Sequence, residues 1–408
     1  MDDLKFSIQR AANGERTLFI QGVSPSAFHG TITDGGFVCP LDAHNARAIR
    51  QYLLWSAPQR VGSRLSFGLG DRLGISTQGH LRAIKGTGIF PVLAQQSMRE
   101  MQRAHRSPQQ VIDDVTWAVV EADYRDGYGC DADHLKTIEE IDACVDAGFV
   151  GYTVDPGAFV HDEFADGERK YGEAMAHVAT LYNHLVKRLG KDGFDFEVSV
   201  DETATATTHA QHRFIALELQ RLSVTFQGLA PRFVGDFMKG IDYIGDLEAF
   251  EADYKAHAQI AHELGDYKLS VHSGSDKFSI YPIVAKYSPS ALHVKTSGTS
   301  WLEALRIIAL HDAPLFRAIL ALASEGYTQN RQSYHVNGRV EAIPLVSDAE
   351  LPTLLNHPDA RQVVHVAFGA TLATYYDAIY AVLNAHIEDY WQALETHIRR
   401  HVAAFVST

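Results

Sequence analysis

Along most of the chain, short runs rich in β-branched and aromatic residues alternate with longer stretches whose apolar positions recur at helical spacing. Strand-like runs centre on RLSFGLGD (64–71), GIFPVLAQ (88–95), GYGCDAD (127–133) and FVGYTVD (149–155). Four more follow at FDFEVSVD (194–201), SVTFQGLAP (223–231), YKLSVHS (267–273) and ALHVKT (291–296). Between most of them lies an amphipathic segment of helix length. SPQQVIDDVTWAVVEADY opens with Ser107 as N-cap and Pro108 as first helical residue, and HLKTIEEIDACVDAGF closes on Gly148 as C-cap. Parallel strands need crossover helices, so this order predicts a parallel sheet. Eight strand–helix units within ~230 residues predict a closed (β/α)8 barrel, an α/β fold of TIM type. The rival, an open doubly wound sheet, lacks its signature. The GxG in KGTGIFP (85–91) precedes a strand rather than a helix and fails as a dinucleotide fingerprint. Residues 1–60 read as an N-terminal extension packing on the barrel, 61–315 as the barrel, and 316–408 as a mainly helical C-terminal region of the same unit.

Composition narrows the function. Of 408 residues, 46% are hydrophobic and 21% charged, ordinary for a globular chain. A net charge of −14 disfavours nucleic acid and anionic membrane as partners, but leaves room for a locally basic pocket and a small anionic substrate. No apolar run approaches ~18 residues, so no membrane span is expected. The start, MDDLKFSIQR, lacks the basic-then-apolar order of a secretory signal. Cys39, Cys130 and Cys144 have no CxxC spacing. A reduced, cytoplasmic protein is the expectation, with the oligomeric state, homo-oligomer included, left open.

In such a barrel, chemistry belongs at the carboxyl ends of the strands. Those ends carry Gln95, Asp131, Asp133, His134, Asp155, Asp201, Glu202, Arg232, His272, Ser273, Asp276, Lys277, His293 and Lys295. Most of the 21 histidines are ordinary surface or core residues. His134, His272 and His293 differ in falling on one rim, on the third, seventh and eighth strands. Three neutral imidazoles on rigid elements suit a catalytic divalent metal with an open position. His134 must reach across the barrel from its turn; if it does not, Glu202 is the replacement ligand. Among the carboxylates, Asp155, Asp246 and Asp276 read as helix N-caps, and Asp133 as the cap of a helix beginning at His134. Asp133 and Glu202 also stand where a pair of acid/base groups would flank a metal, with Asp201 competing for the second role. Arg232, Lys277 and Lys295 give the rim a positive lining suited to a carboxylate or phosphate. SVHSGSDKFS (270–279) resembles an anion-gripping turn. Gln95, Asp155, Ser273 and Asp276 complete the candidate substrate-binding set.

The runs GLGDRLG (68–74), DADHLKT (131–137), TVDPG (153–157), SVDETATATT (199–208), APRFVGDFMKGIDY (230–243), LSVHSGSDKFSIYP (269–282) and HVKTSGTSWLEALR (293–306) resemble those of tagaturonate epimerases. The likeness covers residues ~60–310. It implies a metal-dependent enzyme interconverting tagaturonate and fructuronate in hexuronate catabolism. It also implies a divalent metal on His134, His272 and His293, with Asp133 as proton acceptor and Glu202 as proton donor. Zinc is the first expectation for the metal, ahead of iron, nickel, cobalt and manganese. The resemblance also implies fructose and tagatose as further candidate substrates.

The two ketoses, numbered from a carbonyl at C2, differ at C4. Removing the C4 hydrogen directly gives no stabilised carbanion, whereas breaking C3–C4 leaves an enediolate beside the carbonyl. A retro-aldol/aldol route with metal support is therefore expected. A metal-dependent aldolase or aldose–ketose isomerase would use the same groups. A non-catalytic sugar-binding protein is the alternative of a different class.

Overall fold

The computed structural model describes residues 4–11, 14–22 and 26–406. At the N-terminal end, β1 (Lys5–Arg10), β2 (Arg16–Gln21), β3 (Thr31–Thr33) and β4 (Gly36–Pro40) form an antiparallel sheet in the order β1-β2-β4-β3. This sheet and the helix Ala43–Tyr52, capped by Asp42, enclose a small core of Leu18, Ile20, Phe37 and Ile49. Trp117 and Val120 of helix Pro108–Glu121 share that core, so the extension lies against an outer helix of the barrel.

The eight predicted strands all form. They are β5 (Ser66–Leu69), β6 (Phe90–Ser97), β7 (Gly129–Leu135), β8 (Gly151–Val154), β9 (Asp195–Ser199), β10 (Gly228–Ala230), β11 (Lys268–Val271) and β12 (Leu292–Thr296). They close in sequence order as a parallel barrel, with β12 pairing to β5. The period-2 alternation of a strand explains its interior. Phe67, Leu69, Phe196, Val198, Leu269, Val271, Leu292 and Val294 pack in the core with the surrounding helices. Each such side chain contributes about 1.5–3 kcal/mol when fully removed from water. Their sequence neighbours Ser66, Glu197, Lys268, His293 and Lys295, together with Asp131 of β7, are buried polar residues and line the barrel's inside.

The anticipated caps of two helices are present. Ser107 and Gln110 form a capping box with Pro108 in the first turn, and Gly148 closes its helix at φ +97°. Asp246 caps helix Leu247–Leu264 as expected. Asp133 does not act as a cap, because β7 runs on through it to Leu135 and the next helix starts at Ile138 under Thr137. Asp276 is not a helix cap either; Arg361 and His397 occupy its carboxylate. Asp155 accepts from the Gly157 amide at 2.8 Å.

The C-terminal part is mainly helical, with a second core built by helices Thr299–His311, Ala313–Glu325, Pro358–Val366, Phe368–Ala385 and Ile387–Val402. Among the described residues, no single helix is long and apolar enough to cross a membrane.

Candidate active site

Asp133 and His134 adjoin each other at the end of β7, where regular alternation would point them to opposite faces. The register with β8 shifts between Ala132 and Leu135, and His134 adopts a left-handed φ of +56°. This irregularity turns the imidazole toward the barrel mouth beside Asp133, which is how His134 makes the inward reach. A non-glycine residue there costs about 1–3 kcal/mol, a strain commonly found at functional sites. Ser273 is a second such residue, at φ +50° beside His272.

His134 and His272 face each other with ring centroids 5.2 Å apart. Asp201 stands between them, its Oδ1 3.5 Å from His134 Nε2 and 3.2 Å from His272 Nδ1. Behind each ring stands another carboxylate: Asp133 Oδ1 lies 2.9 Å from His134 Nδ1, and Glu197 Oε1 2.7 Å from His272 Nε2. Glu202 Oε1 is 3.9 Å from His134 Nε2 and 3.3 Å from Arg99. Donor atoms of Asp133, His134 and His272 lie within 4.8 Å of one another, and so do those of His134, Asp155 and Glu202; either group could hold a metal ion.

Beneath this cluster, Lys295 Nζ bridges Asp131 and Asp133 at 2.7 Å and Glu197 at 2.9 Å. Burial opposes its charge, but the three carboxylates outweigh that and hold its pKa well above the usual lysine value. Burial likewise opposes ionisation of Asp133, Glu197 and Asp201, yet the cations around them keep all three well below the ordinary carboxylate range. Asp131 is raised, by burial first and then by its acidic neighbours Asp133 and Glu197.

His293 lies deeper. It sits two residues before Lys295 on β12, about 6.6 Å lower along the strand. Its Nδ1 is 2.9 Å from Ser66 Oγ, and it lines a lower cavity with Lys268, Asp131 and Glu197. Burial drives its pKa down to about 3, so the ring is neutral. It is absent from the close donor groups found among the described residues.

A cleft of about 350 Å³ opens above the cluster, bordered by Asp201, Glu202, Arg232, Lys239, His272 and Ser273 on the barrel side. Gln332, Ser333, Tyr334 and His335 of the C-terminal region form its opposite wall. An inner cavity joins Gln95, Asp133, His134, Asp201, Glu202, His272 and Lys295 with Lys239 and Arg99. The predicted Asp133, Glu202, His134, His272, Gln95, Ser273 and Lys295 thus border one space, and Arg232 borders the outer cleft.

Besides His293, three predicted residues are placed otherwise. Asp155 is tied to Lys136 at 2.9 Å, close to His134 but outside the lining of both spaces. Asp276 is enclosed by Arg361 and His397, each at 2.7 Å. Lys277 spends its ammonium on the carbonyls of Met238, Ile241 and Ser275. Reading strand ends did not reveal Arg99, Lys239 or Tyr334. The segment around Lys239 stood out only as an unusual motif, and Tyr334 lies well beyond the last barrel strand, which ends at Thr296.

The tagaturonate epimerase family model matches residues 8–170 and 162–405. The tagaturonate/fructuronate epimerase of Thermotoga maritima is 38% identical over 414 residues, spanning 90% of this chain and 86% of that protein. Two crystal structures of the fructuronate-tagaturonate epimerase from Cohnella laeviribosi superpose with TM-scores of 0.95, for a glycerol complex, and 0.93, for the native form. Both are 33% identical and cover 99% of this chain, with 94% and 97% of their own chains covered. A polar barrel mouth of this construction, in a chain matched along nearly its whole length, makes the protein an epimerase that belongs to the tagaturonate epimerase family.

Proposed function

We propose that this protein interconverts D-tagaturonate and D-fructuronate by inverting C4, with a divalent cation at the barrel mouth. The observation that carries the reading is the convergence of two imidazoles and two independently held carboxylates, Asp133 and Glu202, on one cavity. The residues fit a cation. His134 Nε2 is buried without a hydrogen-bond partner. Ligand atoms at ~2.0–2.1 Å around a tetrahedral ion stand ~3.3 Å apart, close to the spacing of Asp201 Oδ1 from the two imidazole nitrogens. Asp133 and Glu197, each behind one ring, are the outer partners that orient metal-binding histidines. For the third ligand, His293 could offer its Nε2 from the layer below, while Asp201 already contacts both other rings; metal content of His293→Ala and Asp201→Asn separates them. Imidazole with carboxylate suits zinc, and also iron, cobalt, nickel and manganese. When bound, the cation supplies Lewis-acid stabilisation of negative charge developing on the substrate oxygens.

Asp133, paired with the Lys295 ammonium and hydrogen-bonded to His134 Nδ1, takes the C4 hydroxyl proton as the C3–C4 bond breaks. Its two electrons stay with the C1–C3 fragment as an enediolate, and C4 becomes an aldehyde. After the aldehyde turns, the enediolate attacks its other face, re-forming C3–C4, and Glu202 delivers a proton to the new C4 alkoxide. Tyr334 and Arg99 wall the cavity and retain the fragments. The buried free thiols Cys39, Cys130 and Cys144 accord with a cytoplasmic setting.

The test is incubation of metal-loaded protein with fructuronate and, separately, fructose, following C4 inversion by NMR with and without chelator. Chelator-sensitive formation of tagaturonate is expected. Free aldehyde as the main product would instead mean an aldolase, and inversion that survives complete metal removal would sink the cation.

A further inference from the structure

Lys239 has no assigned task in the reaction above, yet it borders both the outer cleft and the inner cavity. Its Nζ donates to Ser273 Oγ at 2.8 Å. Among the described residues it has no carboxylate within ion-pairing distance. An ammonium carries three donors, so a single hydroxyl leaves it undersatisfied.

The other cations nearby are already committed. Lys295 neutralises Asp131, Asp133 and Glu197. Arg99 faces Glu202 at 3.3 Å. Arg232 turns a guanidinium nitrogen onto the Thr203 carbonyl. Lys277 holds three carbonyls. That last arrangement has a purpose, for two of its carbonyls, Met238 and Ile241, flank Lys239 in the turn. Arg361 secures the intervening Gly240 carbonyl at 2.6 Å, and Gly240 itself sits at φ +76°. Two buried cations therefore grip the backbone on either side of Lys239 and point it at the cavity. Holding a positive group in place without a counter-charge is costly unless an anion arrives to pair with it. Burial indeed lowers the Lys239 pKa, opposing its charge until a partner comes.

We infer that Lys239, steadied by Ser273, is the subsite for the substrate's carboxylate and sets the preference for hexuronates over neutral ketohexoses. The inference rests on the epimerase reading for the identity of the substrate but not for the existence of the subsite. Lys277 and Arg361 are positioning residues for it.

Calorimetric titration of metal-loaded wild type and Lys239→Met with D-fructuronate and with D-fructose tests the subsite without reference to turnover. A charge-assisted hydrogen bond is worth roughly 10- to 100-fold in affinity, so fructuronate binding should weaken by about that factor. The ratio of fructuronate to fructose affinity should fall with it. Equal fructuronate affinity in the two proteins, a parallel loss for both sugars, or no fructuronate binding by the wild type would overturn the subsite. Turnover measured on the same wild-type sample separates the two ideas. Binding that depends on Lys239 without C4 inversion leaves the subsite standing and removes the epimerase reading. Lys239→Gln provides the same readout should the methionine variant fail to fold.

Discussion

Asp133 and His134 occupy consecutive positions in one strand and still serve one cavity, because a register slip and a left-handed residue rotate the second into line with the first. The arrangement separates their tasks. His134 offers Nε2 outward, while Asp133 receives a lysine and the far side of the imidazole. Glu202, by contrast, is 42% exposed on its side chain and touches Arg99 across the cleft. A group so placed can exchange protons with substrate without supporting the fold. Glu202→Gln should therefore reduce kcat by about 10²–10⁴, the usual contribution of general acid–base catalysis. Its metal content should match wild type, measured by elemental analysis of the same preparation. His134→Ala and His272→Ala should show the opposite order, losing metal before anything else. Normal turnover by the glutamine variant would remove Glu202 from the reaction.

At the scale of elements, the segment between β10 and helix Leu247–Leu264 is closed by an Asp236–Ile244 bridge, and the carbonyls at its tip are held by basic side chains buried beneath it. Lys277 and Arg361 come from the loop after β11 and from helix Pro358–Val366, so three separate pieces of chain meet at residues 238–241. Lys277→Met would strand three carbonyls, each costing about 1–3 kcal/mol when left unsatisfied. The variant should lose several kcal/mol of stability in urea titration and bind fructuronate less well. Lys239→Met, lacking no such support, should lose affinity with far less change in stability. A Lys277→Met protein of wild-type stability would mean that the turn stands without its clamp. None of this is written in the local pattern: SDKFS reads equally well as a helix start. The eight strands were legible because each repeats the same signal, apolar outward and polar inward, over a parallel closure that admits few alternatives.

Over the whole molecule, the C-terminal helices do more than cover the barrel. Asp276 binds Arg361 and His397, from two of those helices, inside a space it shares with His401. Burial works against its charge, but these partners hold its pKa well below the ordinary 3.8. As pH falls, the unfolded chain protonates first, so the stabilisation is complete above about pH 4 and drains away below it. Asp276→Asn leaves a buried guanidinium unpaired and should cost about 3–5 kcal/mol near neutrality. Its deficit against wild type should shrink as urea titrations move from pH 6 to pH 3. A constant deficit over that range would show that the cost lies in packing rather than charge.

Taken alone, the sequence determined the barrel, the strands that build it, and the ionisable residue types gathered at its rim. These follow from periodicities of two and 3.6 that depend only on neighbours in the chain. Tertiary structure alone decided the height of each residue inside the barrel. Spacing put His293 and Lys295 on the same rim, but along a strand two residues separate distinct layers. His293 therefore meets Ser66, while Lys295 meets Asp131, Asp133 and Glu197. It also decided which cations are free. Every lysine and arginine near the mouth looks alike in the sequence. Only the partners brought by distant segments show that Lys277 and Lys295 are consumed by the fold and that Lys239 is left facing the cavity. Charge in a folded protein is settled by what surrounds it in space, and that sum is non-local.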